Sequence, residues 1–158
     1  MRGARRAGVT SLNLPNLNQQ LCFAVYSTEH AFSRAYKSLL DPLGLTYPQY
    51  LAMMVLWSED DQTVSNIGDK LLLESNTLTP LLKRLESQGL ISRHRDRTDE
   101  RQVRVRLTDA GRLLGQAASS IPTEIQKATG LSPQAHDELK AMIGTVRQSL
   151  ITTTARRD

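Results

Sequence analysis

The 158-residue chain holds one cysteine, Cys22, and that scarcity excludes a good deal. A single thiol closes no internal disulfide and builds no cysteine-rich metal site. The three histidines, His30, His94 and His136, lie far apart with no ligand spacing, so no metal centre is expected. There is no glycine-rich phosphate loop and no internal repeat, and no cofactor is expected. No run of about 18 apolar residues occurs, and the opening MRGARRAGVTS lacks the apolar stretch of a secretory signal. The expected location is the cytoplasm, where a lone thiol stays reduced, with no membrane partner. Aromatic residues are only 4% of the chain, so each one is worth placing individually.

What is present fits one globular domain with appended elements. Hydrophobic residues reach 39%, enough for a core. Lys and Arg outnumber Asp and Glu by 20 to 16, a net charge of +4 that permits nucleic-acid binding without demonstrating it. Placement is more telling. Arg93, Arg95, Arg97, Arg101, Arg104 and Arg106 fall within fourteen residues, against Asp96, Asp99 and Glu100. The other basic groups, Arg2, Arg5 and Arg6 and then Arg156 and Arg157, sit in expected frayed tails.

Apolar spacing predicts a long helix over about 16–41, with Leu21, Ala24, Val25, Ala31, Phe32, Ala35 and Leu39 forming one stripe. Pro42, Gly44 and Pro48 break it, and PQYLAMMVLWSE, apolar almost all round, follows as a central helix with Met53, Met54 and Trp57 in the core. Ser65 is a candidate cap for a short helix carrying Ile67, Leu71 and Leu72. The next helix holds Leu78, Leu81, Leu82 and Leu85, stops at Gly89, and must begin near Ser75 or Asn76 if Pro80 is to be tolerated. Beyond it the period becomes two: Val103, Val105 and Leu107 alternate with Arg104 and Arg106, the pattern of a half-buried strand. LISRHRD is a weaker strand and RTDER the hairpin tip between them. Thr108 caps a helix over roughly 109–129, and Ser132–Pro133 starts a last one to about 152 with Leu139, Met142, Ile143, Val146 and Leu150 on one side.

The order predicts a mainly α protein: a winged helix-turn-helix with a two-stranded β-wing and long N- and C-terminal dimerisation helices. The expected division is a flexible basic arm at 1–14, a dimerisation helix within 15–44, a winged core at 45–108, dimerisation helices at 109–152 and a tail at 153–158. The outer helices are too apolar to be satisfied by so small a core, and a second copy of the chain is the expected cover.

A major groove about 12 Å wide admits one helix, whose N-terminal side chains reach the base edges. Ser75, Asn76, Thr77 and Thr79 offer short polar groups there, and Lys83 and Arg84 follow one or two turns on for phosphate or guanine. Arg101 at the hairpin tip suits a narrow minor groove, with Asp99 placed to hold its guanidinium. Arg93, Arg95, Arg104 and Arg106 then serve as phosphate contacts. A solvated helix face would show the same polar residues; the basic hairpin beside it favours operator DNA as the partner.

The stretch from Val64 to Gly111, with Asp99–Arg101 and LTxxG at Leu107–Gly111, resembles the winged-helix core of MarR-family repressors. More narrowly, QLCFAVYSTEHAFSRAYKSLLDPLGLTYPQYLAMMVLW is similar to the N-terminal half of the OhrR branch, which senses organic hydroperoxides. The resemblance covers roughly residues 15–150. It implies a homodimeric repressor, not an enzyme, that leaves a pseudo-palindromic operator when its cysteine is oxidised. Cys22 matches the oxidised cysteine, Tyr36 and Tyr47 the tyrosines that hydrogen-bond its sulfur, and Tyr26 a further pocket tyrosine. With no second cysteine, the chain resembles the one-cysteine subclass; its sulfenic acid is expected to condense with a low-molecular-weight thiol or to advance to sulfinic acid.

Chemistry supports that expectation without replacing it. A hydroperoxide is attacked by thiolate, and a hydrogen bond donated by a phenol favours the charged form. Two plainer readings stay open. Cys22 is a small apolar packing residue in a repressor released by a phenolic or other small ligand, or the tyrosines, above all Tyr26 and Tyr50, are interface residues with solvated hydroxyls. A thiol peroxidase is disfavoured, because strands and helices do not alternate.

Overall fold

A computed structural model describes residues 16–156; the expected basic arm at 1–14 and Arg157 lie outside these residues. A short 3-10 turn at Leu17–Gln19 precedes seven α-helices: α1 (Leu21–Leu40), α2 (Tyr47–Ser58), α3 (Val64–Leu71), α4 (Ser75–Ser87), α5 (Asp109–Ala117), α6 (Ile121–Ala128) and α7 (Pro133–Thr154). Three short strands, β1 (Gln62–Thr63), β2 (Ile91–Arg95) and β3 (Val103–Leu107), form an antiparallel sheet in the order β1-β3-β2. The fold is the predicted winged helix-turn-helix. Among the described residues no helix is long and apolar enough to cross a membrane.

The chain divides into two units, one ending at Arg34 and the other starting at Ala35. The first carries the start of α1, where Leu21, Val25, Tyr26 and Phe32 are all more than a third exposed. The second holds the core. Leu40, Tyr50, Met53, Leu56, Ile67, Leu78, Leu82, Leu85, Ile91 and Val105 are almost wholly buried, so α2, α3, α4 and the wing strands share one apolar centre. In the same unit α7 leaves Leu139, Met142, Ile143, Val146 and Leu150 exposed, the spare stripe anticipated from its spacing.

Several local expectations are corrected. Thr63, not Ser65, caps α3, accepting from the Asn66 amide at 3.1 Å. The predicted helix over 109–129 is two helices. Pro122 has no N–H for the Ala118 carbonyl and its ring would clash there, so the helix ends and restarts at Ile121. Strand β1, only two residues long, pairs Gln62 with Val105 and Thr63 with Arg104 and carried no pattern to read. Met54, expected in the core, faces outward at 40% exposure, and Tyr50 is 1% exposed in the core, which closes the plainer reading of it as an interface residue with a solvated hydroxyl. The helix α4 starts at Ser75, as Pro80 required.

The turn from wing to α5 explains LTxxG. Thr108 Oγ1 accepts from the Gly111 amide at 3.1 Å and donates to the Gly89 carbonyl at 2.6 Å. Trp57 Nε1 donates to the Gly111 carbonyl at 2.8 Å, pinning α5 to α2.

Candidate nucleic-acid interface and tyrosine cluster

Helix α4 presents Ser75, Asn76 and Thr77 to solvent at its N-terminal turn, with Thr79 half-buried behind them and Lys83 and Arg84 exposed further along. Leu78, Leu82 and Leu85 anchor its opposite face. These residues form one accessible polar surface on a helix held from below. Among the described residues no carboxylate lies within ion-pair distance of Lys83, Arg84, Arg95 or Arg101, so these cations are available to an anionic partner.

Three of the four expected phosphate contacts, Arg93, Arg104 and Arg106, are engaged by carboxylates. The Arg93 guanidinium grips Glu86 Oε2 through Nε and Nη2 at 2.8 and 2.7 Å, and its amide donates to Glu86 Oε1 at 3.1 Å. These bonds clamp β2 to α4 and hold the Glu86 carboxyl below its ordinary range. Arg104 binds Asp61 Oδ1 at 2.7 Å and Asp96 Oδ2 at 3.1 Å, and also donates to the Asp61 carbonyl. Their charges are spent in building the wing. Arg106 shares Asp61, at 2.8 Å.

The hairpin tip also differs from expectation. Asp99 does not grip the Arg101 guanidinium; it accepts from the Arg101 backbone amide at 3.1 Å and from Gln102 Nε2 at 3.1 Å. The tip is shaped instead by Asp96, a residue the sequence reading passed over. Its Oδ1 accepts from the Thr98 amide at 2.7 Å, the Thr98 hydroxyl at 2.6 Å and the Asp99 amide at 3.2 Å. An aspartate two residues before a threonine at a turn was the available signal. Asp60 and Asp61 were also missed. Asp60 accepts from the Leu107 amide at 2.9 Å and Arg112 at 2.7 Å, and Asp61 takes a left-handed φ of 59° to face Arg104 and Arg106.

Hydrogen bonds from Arg106 and then Arg104 hold the Asp61 carboxyl at about 2, and the Thr98 hydroxyl leads the bonds that hold Asp96 well below the carboxylate range. Both values lie below those of an unfolded chain, so the stabilisation is complete above the ordinary carboxylate pKa and is lost as pH falls through the folded value. Thermal stability is expected to be flat above about pH 5 and to fall between about pH 4 and 2, with Asp61→Asn showing a shallower fall. An unchanged profile in Asp61→Asn, measured by melting across that range, would remove Asp61 from the wing's support.

The second cluster is aromatic. The Tyr36 ring stacks on Tyr47 at 4.3 Å between centroids, Tyr50 lies 5.7 Å from Tyr36, and Trp57 lies 6.0 Å from Tyr50. Burial, then the neighbouring Tyr47 and Tyr50, push the Tyr36 phenol up to about 12, so its hydroxyl remains a proton donor at any physiological pH. Burial likewise raises Tyr50. The structure thus brings Tyr36 and Tyr47 together in the second unit. Cys22 and Tyr26 stand in the first, where Cys22 is exposed and Tyr26, 60% exposed, meets His30 edge-on at 4.3 Å.

Comparison with known proteins places this geometry. Residues 34–117 match the family described as transcriptional regulator SarA/Rot. The regulator TtmR of Methylorubrum extorquens is 49% identical over 135 residues, covering 85% of this chain and 69% of that protein. The organic hydroperoxide resistance transcriptional regulator of Bacillus subtilis is 48% identical over 126 residues, covering 80% and 84%. Among solved structures, AbfR of Staphylococcus epidermidis bound to DNA aligns in its reduced form with a TM-score of 0.74 at 37% identity, and in its overoxidised form with 0.70 at 38%, each covering 87% of this chain and 94% of that one. The chain belongs to the MarR-type winged-helix transcriptional regulators, among the relatives of OhrR, and is a DNA-binding regulator rather than an enzyme.

Proposed function

We propose that this regulator is a redox-sensing repressor that holds operator DNA when reduced and leaves it when an organic hydroperoxide oxidises Cys22. The observation that carries the reading is the stacked pair Tyr36–Tyr47, which sets two phenols side by side. A donor of that kind stabilises a thiolate, and its apolar ring suits an organic rather than a charged peroxide. The exposed apolar faces of α1 and α7 are assigned to a second copy of the chain, whose phenols are assigned to Cys22 across the interface. The name of the Bacillus subtilis relative points the same way.

The chemistry balances with reagents of stated class. The Cys22 thiolate attacks the peroxide oxygen distal to carbon; an S–O bond forms, the O–O bond breaks, and the alkoxide leaves as an alcohol after taking a proton. A low-molecular-weight thiol then attacks the sulfenic sulfur, forming S–S and releasing water. An overoxidised relative has been solved on DNA, so added oxygen alone does not oblige release. The bulkier mixed disulfide is the releasing species proposed here. Two copies set their α4 helices one turn of duplex, ~34 Å, apart, so a small rotation disengages both.

On the DNA, Ser75, Asn76, Thr77 and Thr79 face base edges, Lys83 and Arg84 meet guanine or phosphate, Arg101 enters the minor groove and Arg95 takes phosphate. Arg93 and Arg104 shape the wing that carries them, an assignment that follows from their carboxylate partners. The rival is release by a non-covalent phenolic ligand, with Cys22 merely packed. The two separate when operator-bound reduced protein is challenged with a cumene-type hydroperoxide plus thiol, or with the corresponding alcohol or a phenol. Release by hydroperoxide plus thiol, and by neither the alcohol nor the phenol, supports the proposal; release by the phenol at equal concentration establishes the rival.

A further inference from the structure

A chain of side-chain amides joins the tyrosine-bearing turn to the reading helix. Gln49, on the first turn of α2, is 5% exposed, and its Oε1 accepts from the Thr46 amide at 2.8 Å. That bond fixes which end of the amide is oxygen, leaving Nε2 to donate to Gln88 Oε1 at 3.4 Å. Gln88 Nε2 in turn donates to the Gly44 carbonyl at 2.9 Å. The donor–acceptor sequence is self-consistent at every link. Gln88 is the residue that closes α4, its own amide bonded to the Arg84 carbonyl at 3.0 Å. Gly44 closes the short turn after α1 in a left-handed conformation, φ 67°. Tyr47 follows Thr46 directly and stacks on Tyr36.

We infer that Gln88 and Gln49 are positioning residues that fix the C-terminal end of α4 to the Gly44–Tyr47 turn, so that a shift of Tyr47 is delivered to the reading helix. The placement favours this over simple decoration. Gln88 is exposed, yet it is held at a backbone carbonyl forty-four residues away. Gln49 is buried, and without Gln88 its amide N–H loses that partner. A displacement of the Gly44–Tyr47 backbone therefore either carries the end of α4 with it or breaks a bond in this bridge. The regulatory part of the inference rests on the redox reading above; the positioning part does not.

The test is a double-mutant cycle on the affinity of the reduced protein for a fixed operator duplex, using wild type, Tyr47→Ala, Gln88→Ala and the double variant. Coupling through the bridge predicts that each single change weakens binding, by about tenfold for Tyr47 and about threefold for Gln88, and that the double is no weaker than Tyr47→Ala within about twofold. Effects that multiply, or a Gln88→Ala protein with wild-type affinity, overturn the inference. Tyr47→Leu, closer in volume, replaces Tyr47→Ala if the latter melts below the assay temperature. A second arm compares oxidised with reduced affinity. Wild type is expected to change at least about tenfold more than Gln88→Ala, and an equal response in the two overturns the regulatory part. If wild type shows no oxidative change, the redox reading and the regulatory part fall together, while the cycle still decides the positioning part.

Discussion

Replacing Cys22 with serine is expected to leave operator binding within about threefold of wild type while abolishing release by hydroperoxide, because the hydroxyl keeps the size of the thiol and loses its nucleophilicity. Cys22 is exposed in the single chain, and serine keeps a hydroxyl that can still accept from the phenols assigned to it. The second half follows from the absence of any other cysteine. A resolving thiol from elsewhere in the same chain is excluded, so a serine at position 22 leaves the protein with no thiol to carry the response. A Cys22→Ser protein that leaves the operator at the same hydroperoxide concentration as wild type would move sensing to another group, with methionine oxidation the chemical alternative.

Alanine at position 111 is expected to destabilise the fold by about 3 kcal/mol, a large effect for one methyl group. The backbone of Gly111 passes so close to Leu90 that an added Cβ would lie 2.1 Å from the Leu90 carbonyl oxygen and 3.3 Å from Leu107 Cδ2. The obstacle is backbone, and it cannot swing aside. That same carbonyl accepts the Thr108 amide at 3.1 Å, and the Gly111 carbonyl holds Trp57, so moving either strand or helix breaks the corner where wing, α5 and α2 meet. A melting temperature lowered by about 6–12 °C is the predicted reading for a chain of this size. A loss under about 1 kcal/mol would show that the corner yields and that glycine is not demanded there by space.

The architecture was legible where periodicity is long. The apolar stripes of α1, α4 and α7 and the alternation of β3 each extend over several residues, and each element formed in its predicted order. Legibility failed where structure depends on partners distant in sequence. Arg93 and Arg104 look like their neighbours Arg95 and Arg101 in a basic run, and only the fold brings Glu86 and Asp61 to the first two. Strand β1 exists because β3 offers it a partner, not because two residues prefer a strand. Met54 was misplaced for a related reason: α2 is apolar on nearly every side, so nothing in its sequence says which face the core covers. By contrast, the break at Pro122 and the turn at Asp96 carry local signals in the sequence itself. The resemblance assigned Tyr36 and Tyr47 to the sulfur of Cys22; the stacking of the two rings on each other was not legible in the sequence, because it joins residues of separate helices.

The central claim is that modification of one sulfur uncouples the protein from DNA. Its most direct test follows fluorescence anisotropy of a labelled operator while a cumene-type hydroperoxide is added stepwise in the presence of a small thiol, with intact mass recorded on the same samples. The account predicts that release rises in proportion to a mixed disulfide at Cys22 and is complete at about one equivalent per chain. Complete release with Cys22 unmodified, or full conversion to the mixed disulfide with the operator still bound, would contradict it.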